Sequence, residues 1–294
     1  MSATNGHAVR VGCQLNAWQR ELKVQEHLPE VLRQAAAAGY QGVELPVWSI
    51  PDLENPAPVR ALLAEHRLAP IALHVGGVFH EESPYREKAL PLARRAAACA
   101  AALGAEGIVI SAAAKKAPLT TVPFDPRNPH TRPPTHEQKT ADELRVQTHH
   151  LSEMARLHHE HGLVTYYHNH FTEFGNGEEE LRAILSVDPA HLSLCFDIGN
   201  AARALDAVAL RGTMERHWER IGYLHFKDIK GESLAEALGE GDVDFGPVGA
   251  LARSNGFRGW ATAEIEPAAG MVATRSVAED ARLSCDFIRR VLMD

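Results

Sequence analysis

Acidic and imidazole side chains recur at the ends of successive apolar runs in this chain, and together they have the chemistry of a cation site. One run enters Tyr166-Tyr167-His168-Asn169-His170-Phe171-Thr172-Glu173-Phe174, with two imidazoles and a carboxylate in quick succession. The next, Leu192-Ser193-Leu194-Cys195-Phe196-Asp197, stops abruptly at an acid and continues as Ile198-Gly199-Asn200. Two more end in His225-Phe226-Lys227-Asp228 and in Trp260-Ala261-Thr262-Ala263-Glu264-Ile265-Glu266. Alternate residues of a strand share a face, so His168 goes with His170, His225 with Lys227, and Glu264 with Glu266. A buried carboxylate without a partner is expensive. Three carboxylates and one imidazole on one rim form an oxygen-rich set suited to Mn²⁺ or Mg²⁺, with Co²⁺, Fe²⁺ or Zn²⁺ possible. The bland alternative is salt bridging to Lys227, Lys115 or Lys116.

The elements that must carry these residues alternate as βα units. Eight strands are expected, at Val9–Leu15, Gly42–Leu45, Pro70–His74, Gly107–Ser111, Val164–His168, Leu192–Asp197, Ile221–Lys227 and Trp260–Glu264. Helical stretches lie between them, among them Val24–Ala38, Pro84–Leu103, His136–His161 and Ser276–Met293. Ala38-Gly39, Leu103-Gly104 and His161-Gly162 supply glycine stops ahead of the following strand. Eight such units favour a closed (β/α)8 barrel forming one domain over residues 1–294, with the strand ends as the active rim. No GxGxxG follows the first strand, which argues against a dinucleotide fold. Glu44 and His74 end the second and third strands and join the candidate rim. A long Pro/Thr-rich segment, 112–135, follows the fourth strand; it reads as a lid or as a surface insertion.

Composition narrows the partners. The chain has 294 residues, 45% of them hydrophobic, and a net charge of −8. That size and balance suit a large globular core, and the acidic excess is unfavourable for nucleic-acid binding. The four cysteines (Cys13, Cys99, Cys195, Cys285) show no CxxC spacing and read as small core residues. Met1 to Arg10 lack the apolar core of a signal peptide, and no run is long enough to span a membrane, so a cytoplasmic location is expected.

At its functional residues the chain resembles the sugar phosphate isomerase/epimerase group of xylose-isomerase-like barrels, which includes ketose 3-epimerases, hydroxypyruvate isomerases and inosose dehydratases. The resemblance rests on His168-Asn169-His170-Phe171-Thr172-Glu173-Phe174, Phe196-Asp197-Ile198-Gly199-Asn200, His225-Phe226-Lys227-Asp228, Gly239-Glu240-Gly241-Asp242-Val243-Asp244-Phe245 and Gly259-Trp260 through Glu264. It implies one divalent metal ion held by Glu173, Asp197, His225 and Glu264, and so selects Glu264 over Glu266. Many members read Asp-Thr-Gly-His where this chain has Asn200 in the histidine's place. The implied chemistry is proton abstraction beside a carbonyl of a small polyhydroxylated substrate. Glu173 and Glu264 are the expected acid/base pair, with His170 and Lys227 as second-choice proton carriers. The expected substrate contacts are Glu44, His74, His168 and Asn200. Isomerase, epimerase and inosose-type dehydratase share the enediolate step; an endonuclease-IV-like phosphodiesterase is disfavoured by the acidic charge. With no glycine-rich phosphate cradle, the expected substrate is unphosphorylated. The resemblance also makes a homo-oligomer possible.

Overall fold

The apolar runs form eight parallel strands that close on themselves. The structure is a computed structural model that describes residues 9–116, 136–231, 233–266 and 272–293. We label the barrel strands β1 (Arg10–Gln14), β2 (Gly42–Pro46), β3 (Ala69–Gly77), β4 (Gly107–Ala112), β5 (Val164–His168), β6 (Leu192–Asp197), β7 (Ile221–Phe226) and β8 (Trp260–Ala263). Their order around the ring is β1-β8-β7-β6-β5-β4-β3-β2, and β1 closes it by pairing in parallel with both β2 and β8. The helices around it are α1 (Leu28–Ala37), α2 (Ala57–Glu65), α3 (Leu90–Leu103), α4 (Ala141–Glu160), α5 (Glu179–Leu185), α6 (Ile198–Ala202), α7 (Ala207–His217), α8 (Gly246–Ser254) and α9 (Val277–Met293).

All eight expected strands are present, and their ends differ from expectation by a few residues at most. Two expected helices begin later than their composition suggests. The first starts at Leu28, not Val24. The expected helix from His136 starts at Ala141, because Thr140 caps it: its hydroxyl accepts from Glu143 N, and the Glu143 carboxylate accepts from Thr140 N. His136–Glu137 instead pairs antiparallel with Lys115–Lys116. Residues 117–135 of the segment expected to be a lid or insertion lie outside the described residues. Gly104 (φ 80°) and Gly162 (φ 75°) take up the left-handed conformation that ends a helix before the next strand.

The strand period sorts the side chains into two cores. Tyr167, Leu194, Phe196, Leu224, Phe226, Ala261 and Ala263 pack outward against the helices. Ile71, Val109, Cys195, Tyr223 and Trp260 fill the barrel. Its floor is polar at the edge, where the Arg10 guanidinium lies 4.4 Å over the Trp260 ring and pairs with Glu106, which also accepts from Trp260 Nε1 at 3.1 Å. Above this floor the inward positions end in His168, Asp197, His225 and Glu264, one from each of four neighbouring strand ends. Among the described residues, no helix is long and apolar enough to cross a membrane.

His158 is one of the imidazoles that lie away from the mouth. His158 on α4 is fully buried; its Nδ1 is 2.9 Å from Thr165 Oγ1, and its Nε2 has no partner. Burial pushes its pKa down from 6.5 to about 3, with a smaller push from His161. The unfolded chain therefore binds a proton that the folded chain refuses, so stability is present above pH 6.5 and falls as pH drops toward 3. The slope is about 1.4 kcal/mol per pH unit. In urea titrations from pH 7 to 4.5, the stability gap between the native protein and His158→Leu should narrow as pH falls; a gap independent of pH would contradict this.

Candidate metal centre

Four donor side chains, His168, Asp197, His225 and Glu264, converge at the C-terminal mouth. All are buried, and their ligand atoms lie within 4.8 Å of one another. His168 Nε2 is 3.2 Å from Asp197 Oδ2 and 3.1 Å from Glu264 Oε2. His225 Nδ1 is 2.7 Å from the same Glu264 Oε2, while its Nε2 meets Glu44 Oε2 at 2.7 Å. An imidazole held from behind by a carboxylate, with its other nitrogen facing a cluster of donors, is how proteins orient metal-ligating histidines. The donor set therefore fits a divalent ion, with two nitrogens where the sequence pointed to one.

Lys227 shares the cluster's charge. Its Nζ is 3.1 Å from Glu264 Oε1, 3.0 Å from Glu266 Oε2 and 3.6 Å from Asp197 Oδ2. Burial opposes its ammonium form, but these carboxylates, Glu264 first, hold its pKa above the ordinary lysine value. His168 behaves alike: burial lowers its pKa, yet Glu264 and Asp197 carry it to about 9. Burial, His168 and Lys227 hold His170 down at about 3, so its ring stays neutral.

The local chain explains these placements. Asp197 ends β6 and caps α6, its Oδ1 accepting from Asn200 N at 2.6 Å. Asn169 clamps the same point, donating to Asp197 O and accepting from Asp197 N, both at 3.0 Å. Gly199 is required by close approach: a Cβ there would lie 2.3 Å from Lys227 O. Asp228, on the opposite face from Lys227, accepts from the backbone amides of Ile229, Gly239, Gly241 and Val243 and so folds the loop after β7.

The structure brings Asp197, His225 and Glu264 together, and sets Glu173 apart from them. After His168 the strand gives way to a 3₁₀ turn, Phe171–Phe174, and the Glu173 carboxylate follows Tyr167 to the helix side. There it accepts from Tyr167 OH (2.9 Å), Thr172 Oγ1 (2.9 Å) and His170 N (3.0 Å). Burial, then the Glu180 carboxylate, lifts its pKa to about 7. His168, expected as a substrate contact, stands in the cluster instead. Glu44 is wholly buried, with its oxygens engaged by His225, His74 and Gln14. The side-chain amide of Asn200 donates to Asn169 O at 3.3 Å. His74 and His170 flank His168, with ring centroids 5.4 and 5.2 Å from it. Sequence reasoning missed Gln14, Ser111, Asn169 and Asp228. The available signal was a polar residue at or just beyond the end of an apolar strand.

A closed eight-stranded parallel barrel with two imidazoles and two carboxylates at its C-terminal mouth defines a (β/α)8 protein with a candidate metal centre. Residues 32–291 match the family described as xylose isomerase-like TIM barrel, and the chain belongs to that family. It is 30% identical over 153 residues to an inosose dehydratase of Lactiplantibacillus plantarum, an overlap covering 45% of this chain and 49% of that protein. It is also 30% identical over 135 residues to a rhizopine catabolism protein of Rhizobium meliloti, covering 40% and 41%. The chain thus spans about half the length or less of these curated relatives. Among solved structures, a D-allulose 3-epimerase from Methylomonas sp. is 17% identical over 97% of each chain with a TM-score of 0.73, a likeness of fold.

Metal analysis distinguishes the cluster from the ligand set implied by resemblance. His168→Ala and Asp197→Asn should each weaken Mn²⁺ binding by at least about 100-fold, and Glu44→Gln by about 10- to 100-fold through His225. Glu173→Gln should leave metal affinity unchanged; in calorimetric titrations a comparable loss there would restore Glu173 as a ligand. Because His168 and His225 both hold raised pKa values, metal uptake should release protons and tighten as pH rises.

Proposed function

We propose that this protein is a metal-dependent lyase of the inosose-dehydratase type, removing a proton beside the carbonyl of a small polyhydroxylated ketone and expelling a β-hydroxyl as water. The observation that carries this reading is Lys227, an ammonium 3.1 Å from Glu264 at the edge of the candidate metal centre. Elimination of water needs an acid for the departing hydroxyl, and Lys227 is a protonated donor at the mouth. The half-length likeness to inosose dehydratases supports the same reading.

Two imidazoles among the donors favour Mn²⁺, Co²⁺, Fe²⁺ or Zn²⁺ over Mg²⁺. A divalent ion held by His168, Asp197, His225 and Glu264 would polarise the ketone oxygen as a Lewis acid and fix the substrate's orientation. Lys227 stabilises negative charge developing on substrate oxygen and donates its proton to the leaving group. Glu266, on the rim beside Asn16, holds the Lys227 ammonium in position. The neutral His170 ring is available to hydrogen-bond a substrate hydroxyl.

The second reading is sugar isomerase or epimerase, favoured by the fold shared with the allulose epimerase. Its expected acid/base pair was Glu173 with Glu264. Glu173 is engaged on the helix side of β5, and this weighs toward elimination.

Incubating the metal-loaded protein in deuterated water with inososes, ketoses and hydroxypyruvate tests both readings. Dehydration predicts a new enone absorbance, whereas deuterium in a recovered epimer without enone would favour the second. Lys227→Met should lower kcat by about 10²- to 10⁴-fold with metal content unchanged. A Lys227→Met variant dehydrating at the native rate would defeat the proposed acid role.

A further inference from the structure

Elimination needs a proton removed at one atom and a proton delivered at another, and Lys227 serves only one wall of the mouth. In the ring order, β3 lies four places from β7 and β4 four places from β8, so the ends of β3 and β4 face Lys227 and Glu264 across the barrel. On that far wall three side chains make a directed chain. Ser111 Oγ, above the interior Val109 on β4, is 3.0 Å from His74 Nε2. His74 Nδ1 is 2.9 Å from Glu44 Oε1. Gln14 Nε2 donates to that same oxygen at 2.8 Å, and the other Glu44 oxygen holds His225 Nε2.

The hydrogen-bond directions follow from the partners. Two groups meet His74 Nδ1, the Glu44 carboxylate at 2.9 Å and Gln14 Nε2 at 2.9 Å; we assign the proton to Nδ1, directed at the carboxylate, with Gln14 Nε2 donating to Glu44, so that Nε2 accepts from the Ser111 hydroxyl. A hydroxyl facing an imidazole that a carboxylate fixes from behind is the arrangement that activates serine in unrelated folds, the imidazole taking the hydroxyl proton as the oxygen gains a new bond. Here Ser111 and Glu44 are buried and the His74 side chain is 14% exposed, so the chain leads from the barrel wall toward the mouth. A purely structural pairing would satisfy the same atoms, but it would not explain why the array ends in a hydroxyl on the strand that faces Glu264, the carboxylate holding Lys227, across the ring.

We propose that Ser111 is the catalytic base of this site, with His74 and Glu44 as its positioning residues; this rests on the dehydratase reading above. Ser111 Oγ takes the proton from the carbon beside the carbonyl as its own proton passes to His74 Nε2. The C–H bond breaks and its electron pair enters the enediolate. The β C–O bond then breaks, the departing oxygen takes the Lys227 proton, and water leaves. His74 returns its proton to solvent through Ser111, and Lys227 regains one from solvent. Because Glu44 grips both His74 and His225, one carboxylate sets the base and a candidate metal ligand in register.

Deuterium exchange separates this inference from the reading beneath it. With an inosose as probe and Mn²⁺-loaded protein, Ser111→Ala and His74→Asn should lower the rate of deuterium entry by about 100-fold or more. KM should stay within about threefold and metal content should be unchanged, and Ser111→Thr should recover part of the rate. Native exchange with Ser111→Ala at or within threefold of the native rate overturns the inference and leaves the lyase reading standing. A native protein that shows neither exchange nor enone formation overturns both, and where enone forms without exchange the same 100-fold loss is read in the rate of enone formation. A readout without turnover is the downfield proton resonance of a carboxylate-bound His74 Nδ1–H. Glu44→Gln should abolish it and Ser111→Ala should shift it; a spectrum unchanged by either variant rejects the relay.

Discussion

Glu44, Asp197 and Glu264 are carboxylates buried at one mouth, within hydrogen-bond reach of shared imidazoles, and the desolvation of that charge is the constraint on which the rest depends. Removing an ion from water costs several kcal/mol even after relaxation. The barrel meets this by bringing His168, His225 and Lys227 to the same layer. Cationic charge at that layer, whether from protons or from a divalent ion, is what allows the strand ends to stand together. The polar floor of Arg10, Glu106 and Trp260 lies at the opposite end, separated from the mouth by the apolar filling of Val109, Cys195 and Tyr223.

Much of this was legible in the sequence because the strand period writes it twice. The apolar runs marked the strands, and the abrupt charges at their ends pointed to Asp197, His225 and the pair Glu264 and Glu266, from which the family resemblance selected Glu264. Glu173 stands apart from the cluster because the strand period ends before it. Alternation holds only to His168, after which the 3₁₀ turn rotates the chain and sends the carboxylate outward. His168, the last residue of the strand, keeps the inward direction and so reaches the centre. The bond between Glu44 and His225 joins residues 181 apart in the chain, and no local pattern signals a pairing that exists only after β1 and β8 close the ring.

The same contacts join stability to chemistry. Glu44 is a costly residue to bury and would be a poor choice for a core; it is retained where its two oxygens orient two histidines. Gly199 carries a similar tension, since the backbone of α6 rests against Lys227 O and admits no side chain there. Protein sites that place polar groups or close contacts against folding preference commonly do so where function requires it.

The loop after β7 has a different freedom. Asp228 grips it through backbone amides, at Ile229, Gly239, Gly241 and Val243, and not through the side chains between those points. A clasp made on main-chain atoms is indifferent to what the intervening residues carry. The side chains between those points answer to other partners, with Ala235, Ala237 and Leu238 buried and Glu236 and Glu240 reaching Arg275, so one carboxylate sets the path of the main chain while the body of the barrel sets what that path carries.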